Sequence, residues 1–75
     1  MVYTKRVVCW HDGHGNTIEF REGDSVAICM GDGGLLTGNI VDITNLGFEI
    51  EYEDGKDFDA VWIHCEDIDE IRIAE

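Results

Sequence analysis

The chain contains no proline. Turns must therefore come from glycine, aspartate and asparagine, and nine glycines fall between β-branched and aromatic runs, the pattern of a strand meander. Basic residues are scarce. Five Lys and Arg against 17 Asp and Glu give a formal net charge of −12 over 75 residues, which repels phosphate backbones and anionic membrane surfaces. Nucleic acid is disfavoured as a partner, and the acidity leaves a basic protein, a cation or simple solubility as its uses. Cysteine is sparse too: Cys9, Cys29 and Cys65 are odd in number and far apart, which does not make a closed disulfide framework. Free thiols in a reducing cytoplasm are the expectation. No apolar run approaches the ~18 residues of a membrane span, and Met1 to Arg6 leads into alternating residues rather than an apolar signal core.

What is present is enough for one core. Hydrophobic residues make up 44% of the chain, and a chain this short buries only roughly 60% of the surface it exposes when unfolded. Residues 2–10 read as one strand, with Val8 and Trp10 on one side and Val7 and Cys9 on the other. The loop His11-Asp12-Gly13-His14-Gly15-Asn16 leads to a short returning strand from Thr17 to Phe20. In Ser25 to Met30, Val26, Ile28 and Met30 alternate with small or polar residues, so one face is core. Leu35 to Thr44 reads as a longer strand in which Gly38 supplies a bend or bulge. Phe48, Ile50 and Tyr52 alternate strictly with Glu49, Glu51 and Glu53, and Asp54-Gly55 is a strong hairpin turn. Phe58, Ala60 and Trp62 on one side, with Val61 and Ile63 on the other, make the next strand nearly apolar on both faces, fit for a central position or an interface. A helical turn at His64 to Asp67 precedes a closing strand carrying Ile68, Ile71 and Ile73. Short strands at this spacing, with no amphipathic helix, predict an all-β fold, a barrel or small sandwich, whose closure removes exposed edges.

From Asp24 to about Ile71 the chain resembles the Sm-like and SH3-like small β-barrels. Gly23-Asp24-Ser25-Val26, continuing through Ile28 and Met30, is similar to their first barrel strand. Gly34-Leu35-Leu36-Thr37-Gly38-Asn39-Ile40-Val41-Asp42-Ile43 is similar to the first Sm motif, and Ile63 to Ile71 keeps the apolar spacing of the second. The resemblance implies a five-stranded barrel over 23–75 with an N-terminal strand and hairpin at 1–22, all one domain of 1–75. In Sm proteins an aspartate and an asparagine of the first motif, with an arginine-glycine pair of the second, hold an RNA base. Those positions carry Thr44, Phe48 and His64-Cys65 here, so the resemblance carries over the architecture without the base pocket.

Cys9, His11 and His14 form a C-x-H-x2-H grouping of zinc-type donors, with His64 and Cys65 as remote ones. Strong zinc motifs pair two close clusters, so the first expectation is no metal and no cofactor, with zinc at Cys9, His11 and His14 as the alternative. No nucleophile motif or phosphate-cradling loop opens a helix, and the Gly31-Asp32-Gly33-Gly34 glycines lead into a strand. Catalysis is not expected. Glu49, Glu51 and Glu53, with Asp54, Asp57 and Asp59, concentrate charge on one hairpin as a solvated face or an interaction surface. Trp10, Tyr3, Trp62 and Phe58 are the aromatic candidates for contact, with Trp62 expected to pack inside and Trp10, beside the loop, to meet a partner. The expected role is a non-catalytic interaction or assembly module that binds a protein or itself as a homo-oligomer; the alternatives are an Sm-like RNA binder and an acidic nucleic-acid mimic that occupies a basic protein.

Overall fold

The computed structural model describes residues 1–74 and is all-β, with two antiparallel sheets. Strands β1 (Val2–Thr4), β2 (Val8–His11) and β3 (Thr17–Phe20) form a three-stranded sheet in chain order. The second sheet holds β4 (Ser25–Met30), β5 (Leu35–Ile43), β6 (Gly47–Asp54), β7 (Asp57–His64) and β8 (Ile68–Ile73), in the spatial order β7-β6-β5-β4-β8. A 3-10 turn at Cys65–Asp67 links β7 to β8. The expected closure into a barrel is not made: β7 and β8 share no ladder among the described residues, so each has an edge without a strand beside it. No helix is long and apolar enough to cross a membrane among the described residues.

The segment 2–10 is not one strand. The chain reverses at Lys5 to Val7, with the Lys5 N–H donating to the Val7 carbonyl at 2.8 Å and Arg6 at φ 64°. A left-handed conformation is uncommon outside Gly, Asn and Asp, so no residue type announced the reversal. It also hides from the alternation, because the register Val2↔Trp10 and Thr4↔Val8 keeps even-numbered residues on one face on both sides of the turn. β3 continues the sheet by pairing Phe20 with Val8 and Ile18 with Trp10.

The two sheets share one core. Val2, Val8 and Phe20 from the first join Val26, Ile28, Ile40, Phe48, Ile50, Ile63, Ile68 and Ile71 from the second in a single buried cluster. Alternation in β4 and β6 places Val26, Ile28, Phe48 and Ile50 inward at 0% exposure, as a half-buried strand of period two requires.

The irregularity expected at Gly38 lies elsewhere. Gly38 pairs regularly with Val26, and the register of β5 against β6 slips between Ile40 and Asp42, at Val41. Glycine at 38 serves close approach instead, since a Cβ there would stand 2.5 Å from both the Glu51 carbonyl oxygen and Ile50 Cγ2. A second slip between Cys29 and Met30 interrupts the β4–β8 ladder.

Candidate interaction edge

β7 is expected from its two-sided apolar pattern to be central or to carry an interface, and it lies at a sheet edge. Of its eight residues only Ile63 is buried. Phe58 is 66% exposed and Trp62 49%, so the expectation that Trp62 packs inside is corrected. Trp10 is half-buried and packs against the core, the reverse of the expected assignment. The reason is topological: Trp10 sits on the middle strand of its sheet, paired on both sides, whereas no strand among the described residues stands beyond Trp62.

The β6–β7 register sets the face. Glu49 stands opposite Trp62, Glu51 opposite Ala60 and Glu53 opposite Phe58, and opposed residues in an antiparallel pair share a face with Cβ atoms about 4.5–5.5 Å apart. Three carboxylates and two exposed aromatics thus form two parallel rows on the outer face, with Asn39 and Asp42 of β5 beyond them. The opposite side of β7 carries Asp57, Asp59 and the partly exposed Val61. Gly55 at φ 69° makes the turn at the end of the hairpin, where a side chain other than Gly or Asn would be strained.

The ladder also fixes where the edge's backbone groups point. The Cys65 N–H donates to the Leu46 carbonyl at 3.0 Å, and hydrogen-bonded pairs recur at every second position of an antiparallel ladder. Phe48–Ile63, Ile50–Val61 and Tyr52–Asp59 are therefore the hydrogen-bonded pairs. The N–H and C=O groups of Phe58, Ala60 and Trp62 then point away from β6, outward from the edge. Exposed apolar side chains and outward strand hydrogen-bonding groups thus occur at the same three positions, two of them aromatic, and the Ala60 N–H donates to Asp59 Oδ1 of its own strand at 2.9 Å. Phe58 was among the aromatic contact candidates of the sequence; Ala60 was not, and the two-sided apolar run was the signal for it.

The other candidates do not converge. Cys9 is buried on β2, with its thiol 3.9 Å from the Val7 carbonyl, and burial above all, reinforced by Glu19, pushes its pKa up. His11 Nδ1 lies 3.1 Å from the Asn16 carbonyl, and the His14 N–H donates to Asp12 at 2.7 Å. That bond, with those from Asn16, holds the Asp12 carboxyl below its ordinary pKa. No three His, Cys, Asp or Glu side chains gather as a metal site among the described residues, so Cys9, His11 and His14 are not brought together as zinc ligands. Thr44, Phe48, His64 and Cys65 do not form a common pocket either: Phe48 is in the core, the Thr44 hydroxyl donates to the Gly47 carbonyl at 3.2 Å, and Cys65 is partly buried against the core with its thiol pKa raised by burial. A shallow groove between β1 and the Asn45–Leu46 turn is bounded by Val2, Thr4, His64 and Cys65, and the Thr4 hydroxyl there is buried with no hydrogen-bond partner among the described residues.

No curated protein and no solved structure matches the chain. Residues 10–73 match the family model described as a domain of unknown function, DUF7205, and the chain belongs to that family.

Proposed function

We propose that this member of the family is a non-catalytic protein-interaction module of the small-barrel class, docking through the edge of β7. The single observation that carries the reading is the coincidence, at Phe58, Ala60 and Trp62, of exposed apolar side chains and outward backbone hydrogen-bonding groups. Natural sheets blunt such edges with lysine, proline or a covering element. Among the described residues β7 has no lysine, proline or covering strand, its charges are Asp57 and Asp59, with Asp59 accepting the Ala60 N–H, and Lys56 lies in the turn before it. An uncovered edge of this kind favours addition of a strand from another chain. Five antiparallel strands over residues 25–73, slipping register at Val41 and at Cys29/Met30 where strands bend, favour the barrel class over a flat sheet.

Sm-like RNA binding is disfavoured by the same face, because Glu49, Glu51 and Glu53 repel phosphates. The test replaces edge residues by the charge natural edges use. Phe58→Lys and Trp62→Lys are exposed changes and should leave the far-UV circular dichroism unchanged while abolishing partner capture from the native host or any self-association seen by sedimentation. Variants that keep the same partners and the same mass as the wild type would end the reading.

A further inference from the structure

The edge could be filled by a second copy or by a strand of another protein, and the charges decide between them. A two-fold antiparallel pairing of β7 with itself has a workable register: Ala60 meets its own symmetry mate, and Phe58 faces the Trp62 of the other copy. That arrangement brings two chains of net charge −12 edge to edge, with the Glu49, Glu51 and Glu53 rows of both on one continuous face. A basic segment meets the same edge with opposite charge.

We propose that the β7 edge takes, as an additional strand of the five-stranded sheet, an extended segment whose Lys or Arg side chains at alternate positions cross Phe58, Ala60 and Trp62 and end on Glu53, Glu51 and Glu49. This rests on the reading of β7 as the docking edge and adds the chemistry of the occupant. Residues of the added strand opposite Phe58, Ala60 and Trp62 form its hydrogen-bonded pairs and share their outer face, because those three have the outward backbone groups; at Ala60 the added strand's carbonyl replaces the Asp59 carboxylate as acceptor of the N–H. Their side chains start two strand spacings, about 9.5 Å, from β6. An extended Lys or Arg spans that gap together with a Glu reaching back, passing over aromatic faces that attract cations. Between them, the intervening residues fall on the side of Val61 and Asp59, where an apolar side chain beside Val61 covers its exposed surface. The recognised pattern is three basic residues at alternate positions, with an apolar residue beside Val61 between two of them. Ala60 fits the middle: a small residue between two aromatics leaves a channel leading to Glu51.

The test uses the whole protein and a fluorescent nine-residue peptide of alternating Arg and Val. Binding is expected by anisotropy, with ¹⁵N amide shifts centred on Phe58 to Trp62. Methylating the backbone nitrogens of the arginines, which face β7 in this register, should weaken binding at least tenfold. Methylating those of the valines should change it less than threefold. The triple variant Glu49→Gln/Glu51→Gln/Glu53→Gln should weaken binding at least tenfold with unchanged circular dichroism, and a peptide with Glu in place of Arg should not bind. Equal binding of both methylated peptides, shifts centred away from β7, or no binding at millimolar peptide would each overturn the proposal. A dimer that Trp62→Lys dissolves would overturn it too while leaving the docking edge intact, whereas indifference of every partner, of the dimer and of the peptide to Trp62→Lys removes the edge itself.

Discussion

Replacing Gly47 by alanine tests whether β6 and β7 approach as closely as the register implies. Gly47 is buried at the start of β6, opposite His64. A Cβ there would overlap the Ile63 carbonyl oxygen and stand 2.9 Å from its carbon and 3.0 Å from His64 Cα. These are backbone atoms, so no rotamer change relieves the clash. The Ile63 carbonyl has to retreat, which stretches the hydrogen-bonded pair it makes with Phe48, a bond contributing about 0.5–1.5 kcal/mol. Overpacking adds about 1–3 kcal/mol. Alanine's lower unfolded-state entropy returns at most about 1 kcal/mol, and a net loss of about 2–3 kcal/mol follows. For a domain of this size each kcal/mol lowers Tm by about 4–8 °C, so Tm should fall by roughly 10–20 °C. Calorimetry or a circular-dichroism melt reads this directly. The same substitution should shift the amide signals of Trp62, since the displaced backbone is its own strand. A Tm within about 3 °C of wild type would refute the close approach at Gly47 and with it the register that defines the outer face of β7.

Phe20→Ala empties a fully buried site on β3 and should cost about 3–5 kcal/mol, with residues of both sheets lost in one urea transition because Phe20 belongs to the shared cluster; a separate early loss of β1–β3 would contradict the shared core. Cys9 should be alkylated far more slowly than a free thiol, with a rate–pH curve midpoint displaced upward, because burial disfavours the reactive thiolate; mass spectrometry of partly alkylated protein checks this, and rapid labelling at neutral pH would contradict it. The Asp12 carboxyl is held below its ordinary pKa chiefly by the His14 N–H and then by Asn16. Its contribution to the loop is therefore complete above the ordinary carboxylate pKa and is lost as pH falls through the lower folded value. The His14 amide shift should follow that titration, and a midpoint at or above the ordinary value would refute the bond's role.

Much of the strand pattern was legible because it is a local property. Val26 and Ile28, or Phe48 and Ile50, show their inward face by alternation alone, and Gly55 marks its turn by residue type, although the turn is Gly55-Lys56 with Asp54 paired to Asp57, one residue later than expected. Arg6 escaped because its left-handed conformation is imposed by the pairing of β1 on β2. The register keeps the alternation intact through the reversal, so no break in period marked it. Gly38 was legible as a place needing no side chain, but whether that need was a bend or a neighbour depended on Ile50 and Glu51, which approach from another strand.

The candidate site divides in the same way. Glu49, Glu51 and Glu53 alternate against a core face, so the sequence by itself determined that they stand in one outward row. It also determined the acidity that constrains any partner and the apolar content of both faces of β7. It could not determine which strand would be last in the sheet. An apolar two-sided strand fits a sheet interior and an unfilled edge equally well, and strand order depends on contacts between residues distant in sequence, such as β4 with β8. Only the tertiary structure placed β7 outermost, exposed Trp62 while packing Trp10 against the core, and turned the backbone groups of Phe58, Ala60 and Trp62 outward beside the glutamates.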